Sequence, residues 1–339
     1  MTTGRKTGRT SRTAAAPARR GASRLLRKPE QAPLFTGSRQ HVLDLDDFTR
    51  EEVDHILRNA DGMNEVLARD IRKTPALRGK TIITLFYEES TRTRVSFEQA
   101  GKILGADVIN ISVSTSSVGK GESLVNTLRT IGAMSIDALV IRHPHSGASY
   151  LATRHLNASV INAGDGMHAH PTQALLDLYT IRRHLGSFEG VRVAIVGDFL
   201  HSRVARSNVH GLIKMGAQVT VCGPRTLLPS VWREGTAVSE GPYSGLLIAS
   251  TVEQAVTGAD VVMALRIQRE RQSSGLLPDL REYSRRYGVN AVRLALAKPR
   301  ALLMHPGPMN EGVEISSEVA HGSQSVIEEQ VRNGVAIRM

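Results

Sequence analysis

Thr81-Ile82-Ile83-Thr84-Leu85-Phe86-Tyr87-Glu88-Glu89-Ser90-Thr91-Arg92-Thr93-Arg94 is the stretch on which the fold turns. Residues 81–86 are β-branched or apolar and read as a short buried strand, and a helix is expected from about Thr91. A strand running straight into a helix is the opening of a parallel βαβ unit. At such a junction the first-turn N–H groups and the positive end of the helix dipole face outward, a ready anion site. Ser90, Thr91 and Thr93 add hydroxyl donors, and Arg92 adds a fixed cationic fork, so the residues describe a phosphate site. They also fit a plain capped helix followed by solvated arginines, and from this stretch alone both readings stand.

Outward from this junction, helix and strand alternate along the chain. A helix is expected over 47–68, where Phe48, Val53, Ile56 and Leu57 stand at helical spacing after an acidic start. Strands are expected at 106–111, 137–141 and 160–162, with a helix near 146–153. A long amphipathic helix at 172–185 separates these from a second series of strands at 191–196, 218–221, 246–249, 261–264 and 301–304. The pattern predicts an α/β protein of two domains, each a parallel sheet flanked by helices, with a cleft between them. No internal repeat of 20 to 50 residues is present.

Composition narrows the function classes. The 339 residues exceed a single typical domain of roughly 100–200 residues. Cys222 is the one cysteine, which excludes an internal disulfide and a cysteine-based zinc site and points to a reducing compartment. No run reaches the roughly 20 apolar residues of a membrane helix. The formal charge of +11 invites a nucleic-acid reading, yet residues 1–30 hold nine basic groups and one acid, Glu30. This Arg-, Ser- and Gly-rich stretch has no apolar periodicity, so residues 1–35 read as a disordered basic tail. It lacks the apolar core of a secretory signal; an organelle transit peptide is the alternative reading. Outside the tail no nucleic-acid-binding motif stands out, so specific nucleic-acid binding is not expected.

Residues 85–98 resemble the phosphate-binding signature of the aspartate and ornithine carbamoyltransferase family. The resemblance continues through Arg142-His143-Pro144, Asn162-Ala163-Gly164-Asp165-Gly166, His170-Pro171-Thr172-Gln173, Val196-Gly197-Asp198 with Arg203, Leu265-Arg266-Ile267-Gln268 and His305-Pro306-Gly307-Pro308. Within the family, ornithine enzymes carry a His-Cys-Leu-Pro segment where this chain has His305-Pro306-Gly307-Pro308. The aspartate branch carries a loop of the form seen in Ser116-Ser117-Val118-Gly119-Lys120-Gly121-Glu122.

The resemblance implies a carbamoyltransferase that makes N-carbamoyl-L-aspartate and phosphate from carbamoyl phosphate and L-aspartate, an early step of pyrimidine synthesis; ornithine is the alternative acceptor. It implies a carbamoyl-phosphate-binding domain at 36–171, joined by the C-terminal helix 328–339, and an aspartate-binding domain at 172–327. Ser90, Thr91, Arg92 and Thr93 would hold the phosphate, and Thr93, Arg142 and His170 would point donors at the carbamoyl oxygen. Gln173 and the carbonyls of Gly307 and Pro308 would hold the carbamoyl NH2, with Gly307-Pro308 a candidate cis peptide. Arg203, Arg266 and Lys120 would meet the carboxylates of aspartate, with Gln268 in support. Ser116 and Lys120 would come from a neighbouring subunit, making a homotrimer, and Glu88 would bridge to Arg203 and Arg271 on closure. The family needs no cofactor and no metal, and it resides in the cytoplasm. Whether the trimer pairs with a regulatory chain or a dihydroorotase partner is left open.

Other motifs weigh less. His168 and His170 lack a third metal ligand at suitable spacing. The turn after Val193 lacks G-x-G-x-x-G, so no dinucleotide is expected. Relatives often carry arginine at the position of Glu311 and extend the final helix past the position of Met339, so an effect on stability or closure is expected there.

Overall fold

The computed structural model describes Met1 and residues 39–112, 121–268, 276 and 279–339. Strand β1 (Thr81–Phe86) leads into α2 (Thr91–Ile103), preceded in the chain by α1 (Arg50–Leu67). Helix α1 starts at Arg50 rather than at residue 47 because Thr49 and Glu52 form a reciprocal capping box. Glu52 N–H donates to Thr49 Oγ1 at 3.2 Å, and Thr49 N–H donates to Glu52 Oε2 at 2.8 Å. Phe48 therefore packs into the core from outside the helix.

The first sheet comprises β1, β2 (Asp107–Ser112), β3 (Ala138–His143) and β4 (Ser159–Asp165), all parallel, in the order β2-β1-β3-β4. Helices α3 (Leu124–Gly132) and α4 (Ala148–Thr153) belong to its crossovers. Helix α5 (Pro171–Leu185) then leads to the second sheet, built from β5 (Arg192–Val196), β6 (Gln218–Cys222), β7 (Leu247–Ile248), β8 (Val261–Ala264) and β9 (Leu302–Met304). These strands are also parallel, in the order β7-β6-β5-β8-β9. The connecting helices are α6 (Arg203–Lys214), α7 (Val252–Val256), α8 (Leu280–Tyr287), α9 (Ala291–Leu294) and α10 (Ser317–Ala320), and α11 (Ile327–Arg338) closes the chain.

The second sheet is covered on both faces, as parallel sheets require, while β2 at the edge of the first is largely exposed. Along β5, Val193 and Ile195 enter one core cluster while Ala194 and Val196 enter another. Helix α5 differs from the amphipathic helix expected at 172–185. Every residue from Pro171 to Ile181 is buried, because α1, α6 and α11 surround it. Gln173, Asp177 and Thr180 are thus polar groups inside the protein rather than a wet face.

Strand order locates the site. In the first sheet the chain moves outward from β1 to β2, then returns to place β3 on the other side of β1. In the second sheet β5 and β8 have the same relation. Each adjacent pair leaves a crevice beyond its carboxyl ends, where connections diverge and ligands bind in open α/β sheets. The β1/β3 crevice carries residues 87–94 and Arg142; the β5/β8 crevice carries the loop to Arg203 and residues 265–268.

His168 ties the N-terminal segment to β4. Its Nδ1 lies 3.2 Å from Asp165 Oδ2, and its Nε2 lies 3.2 Å from Asp44 Oδ2. Donating hydrogen bonds to Asp165 and then to Asp44 raises the imidazole to about 10. A raised histidine contributes stability that is complete below its unfolded value near 6.5 and lost as pH climbs through about 10. His168→Gln is expected to cost about 1–2 kcal/mol near neutral pH, discounted for partial exposure. Urea melts should show this difference shrinking to nothing above the raised value; a pH-independent difference would contradict the ion pair.

Candidate active site

The two crevices open into one cleft of about 640 Å³. Ser90, Thr91, Arg92, Thr93, Arg142 and His170 line it with Gln173, Arg203, Arg266, Gln268, Gly307 and Pro308. The structure thus brings together twelve of the expected site residues. Ser116, Lys120 and Arg271 lie outside the described residues.

Ser90 occupies the N-cap of α2 in an extended conformation, yet its side chain makes no cap bond. Ser90 thus takes the N-cap position without committing its hydroxyl to the cap. Thr93 is buried, while Arg92 and Thr91 are open to the cleft. Ser96 Oγ donates back to the carbonyls of Arg92 and Thr93 at 2.6 and 2.9 Å, fixing the first turn from below. Partial desolvation, then the charge of Arg266, lower the pKa of the Arg92 guanidinium. Arg92 and Arg266 belong to opposite crevices, so this repulsion marks cations facing each other across the cleft.

The Asn162-Ala163-Gly164-Asp165-Gly166 motif becomes an irregularity in β4. The β3/β4 register shifts between Ile141 and His143, leaving Ala163 and Gly164 opposite Arg142. Strand β4 consequently runs on to Asp165, beyond the expected end at Asn162. Such a bulge re-aims side chains beside it. Arg142 Nη1 donates to the Ala163 carbonyl at 3.3 Å. Gly164 has φ +115°, and a Cβ there would lie 2.8 Å from Arg203 Nε and 3.3 Å from Arg142 Nη1. The missing side chain is what allows two guanidinium groups to converge.

Glu88 sits between them. Its Oε2 accepts from Arg203 Nη2 at 2.6 Å and lies 3.3 Å from Arg142 Nε, joining the β1 junction to the start of α6. Arg203 Nη1 also donates to the Gly166 carbonyl at 3.2 Å. Arg203 is only 3% exposed, so its contacts in this structure are mainly with protein.

His170 is the N-cap residue of α5, with Pro171 at the first helical position, and its N–H donates to Ser207 Oγ at 3.0 Å. Gly307-Pro308 is cis, and Gly307 has φ +64°. A Cβ on Gly307 would come within 2.6 Å of Arg92 Nη1. The loop is fixed by His305, whose Nδ1 accepts from Gly307 N–H at 2.8 Å.

Sequence reasoning missed Arg338. It lines the cleft from α11, with its guanidinium carbon 5.1 Å from the Phe97 ring centre. Burial lowers it to about 10, against the attraction of Asp177 and with added repulsion from Arg92. Nothing in a lone arginine near the end of a helix announces this placement. His168, by contrast, belongs to the ion pair described above. Among the described residues no group of three or more His, Cys, Asp or Glu is placed to hold a metal. Glu311 bonds to His321 at 3.2 Å and is not part of the cleft lining.

The aspartate/ornithine carbamoyltransferase carbamoyl-P binding domain model matches residues 40–183, and the Asp/Orn binding domain model matches residues 189–339. The chain is 58% identical over 312 residues to the aspartate carbamoyltransferase catalytic subunit of Roseiflexus castenholzii, covering 92% of this chain and 96% of that one. Among solved structures it is similar to aspartate transcarbamoylase from Trypanosoma cruzi in complex with carbamoyl phosphate and aspartate. There the TM-score is 0.78 at 30% identity, covering 88% of this chain and 94% of that chain. It is also similar to ornithine carbamoyltransferase from Pyrococcus furiosus, with a TM-score of 0.76 at 28% identity and the same coverage. With both domain models matched in succession and the switch-point cations in one cleft, the chain belongs to the aspartate/ornithine carbamoyltransferase family.

Proposed function

We propose that the chain transfers the carbamoyl group of carbamoyl phosphate to the amine of L-aspartate, releasing phosphate, as an early step of pyrimidine biosynthesis. The observation that carries this reading is the meeting, in one cleft, of a phosphate-type helix start and a second set of arginines from the other sheet. Two anionic substrates need two cationic ends. A dicarboxylate acceptor suits Arg203 and Arg266 better than ornithine, whose side-chain ammonium would be repelled by them. The high identity to aspartate enzymes supports the same choice.

In this reading Ser90, Thr91, Arg92 and Thr93 bind the phosphate, with the α2 N-terminus behind them. Thr93, Arg142 and His170 donate to the carbamoyl oxygen as the amine attacks and negative charge builds there. Removing one such preorganised donor costs about 2.7–4 kcal/mol in other acyl-transfer sites. Gln173 and the carbonyls of Gly307 and Pro308 accept from the carbamoyl NH2. The departing phosphate takes the amine proton, so no separate side-chain base is required. Arg203, Arg266 and Gln268 hold the aspartate carboxylates. Residues 36–171 with 328–339 serve the first substrate and 172–327 the second. Ser116 and Lys120 enter the site from an adjacent subunit of a cytoplasmic homotrimer.

The decisive assay offers radiolabelled carbamoyl phosphate with aspartate or with ornithine. Label is expected in carbamoyl aspartate; label only in citrulline would overturn the acceptor. Arg92→Ala should lower kcat/KM by at least about 100-fold with an unchanged circular dichroism spectrum, since it removes a charged phosphate contact. Glu88→Gln should raise the KM for aspartate about tenfold, the effect of losing about 1.4 kcal/mol of Arg203 orientation, while phosphate inhibition stays within twofold. Equal loss for both ligands would assign Glu88 to general folding instead.

A further inference from the structure

Asp177 lies inside α5, fully buried, and the mechanism above does not use it. Three side-chain amides converge on it. Gln173 Nε2 donates to Oδ1 at 3.0 Å, Gln330 Nε2 donates to Oδ1 at 2.7 Å, and Asn208 Nδ2 donates to Oδ2 at 2.8 Å.

The direction of these bonds is set by backbone groups that cannot reverse. Gln330 Oε1 accepts from the His305 N–H at 3.0 Å, and a backbone N–H is only a donor, so Nε2 of Gln330 must face Asp177. Asn208 Nδ2 also donates to the Val204 carbonyl at 3.1 Å, and a carbonyl is only an acceptor, so Nδ2 of Asn208 is fixed as well. Both oxygens of Asp177 are therefore required to accept. Gln173 is the third partner and has no backbone anchor for its amide. Facing an oxygen that only accepts, it must turn its Nε2 inward, which leaves Oε1 on the opposite arm of the planar amide.

We propose that Asp177 is a positioning residue that locks the Gln173 amide with its carbonyl oxygen toward the cleft, so that the site recognises the NH2 of the carbamoyl group. This rests on the reading of Gln173 as a contact of that NH2. The same carboxylate links Gln173 through Gln330 to His305, and so to the Gly307-Pro308 turn whose carbonyls serve the same NH2 in that reading. One buried group thereby aligns both sets of acceptors. A pocket with fixed acceptors rejects an analogue that lacks the NH2, because those acceptors are then left without a donor.

Burial raises the Asp177 carboxyl to about 6, so it is ionised at neutral pH and gains a proton in mild acid. The groups facing it are Gln173 on its own helix, Asn208 on α6, and Gln330 and Arg338 on α11; His305 lies one bond further along the chain of contacts. A proton on Oδ1 turns that oxygen into a donor toward Gln173. With Gln330 and Asn208 anchored, Gln173 is the partner that rotates, bringing its NH2 to the cleft in place of its oxygen.

The test uses two phosphonates that differ only in NH2 against CH3: phosphonoacetamide and 2-oxopropylphosphonate. Their dissociation constants, with inorganic phosphate as a control, are measured by calorimetry on the full chain in its native assembly at pH 7.5 and pH 5. Because both share the phosphonate and the carbonyl, the ratio cancels titration of the ligand and of groups that touch those parts. The unaltered protein is expected to favour phosphonoacetamide about tenfold at pH 7.5 and no more than about twofold at pH 5. Asp177→Leu is expected to show the low ratio at both pH values, with phosphate affinity within about twofold of the unaltered protein. A Leu variant that keeps the tenfold ratio, or an unaltered protein whose tenfold preference at pH 7.5 persists at pH 5, overturns the proposal. Equal loss of all three ligands in the Leu variant does so too, since it marks a role in folding only. If the variant does not fold, the pH comparison on the unaltered protein decides. Absence of any preference at pH 7.5 would instead refute the reading of Gln173, a distinguishable failure.

Discussion

The cleft depends on holding Arg142 and Arg203 side by side at the meeting of two sheets. Two like charges that share one carboxylate oxygen repel by a few kcal/mol at an effective dielectric near 20, so their approach needs compensation. Glu88 supplies part of it by contacting both, and carbonyls at Ala163 and Gly166 supply more. Charge-assisted bonds of this kind contribute about 1.5–3 kcal/mol each, enough to offset the repulsion between these two. Arg92 and Arg266 face each other, and desolvation followed by their mutual repulsion lowers the pKa of Arg92. A dianionic phosphate and a dicarboxylate are the complement such a cleft asks for.

The scaffold makes this arrangement by repeating one device. Each sheet reverses its order once, beside β1 in the first and beside β5 in the second, and each reversal opens a crevice at strand carboxyl ends. Residues far apart in sequence are carried there by strands that are themselves ordinary aliphatic core. Helices α5 and α11 pack together with α1 and α2, and residues 37–339 form one compact unit. Inside α5 polar residues sit at buried positions, where their hydrogen bonds run within the helix and to α6 and α11.

Much of this was legible in the sequence. β1 and the start of α2 follow from an apolar run and its flanking polar residues, whereas the places of Arg142, Arg203 and Arg266 in the site come with the family resemblance, and Arg142 lies inside β3 rather than after the strand end expected at 141. The start of α1 was placed three residues early because the Thr49–Glu52 capping box outweighs the acidic pair before it. The apolar run suggests an end to β4 at Asn162, whereas the strand passes through Gly164 at a bulge and runs to Asp165. Strand order is invisible to periodicity, so the crevices could not be located from pattern alone. The burial of α5 on all sides was also hidden, since Gln173, Asp177 and Thr180 look like a solvent face until α11 is packed against them. Arg338 was missed for the same reason: its role arises from a long-range contact. The charge balance misleads at first sight, because most of the excess lies in residues 1–30, while the smaller excess over residues 31–339 includes the arginines of the cleft.

The central claim is that one cleft holds the phosphate and the aspartate carboxylates at once. Calorimetric affinity for N-(phosphonacetyl)-L-aspartate, set against phosphonoacetate and succinate measured separately, tests it most directly. The account predicts that the joined ligand binds at least about 100-fold more tightly than either fragment, at one site per chain, because the second contact is made without a second loss of translational freedom. A joined ligand that binds no more tightly than phosphonoacetate alone would contradict it.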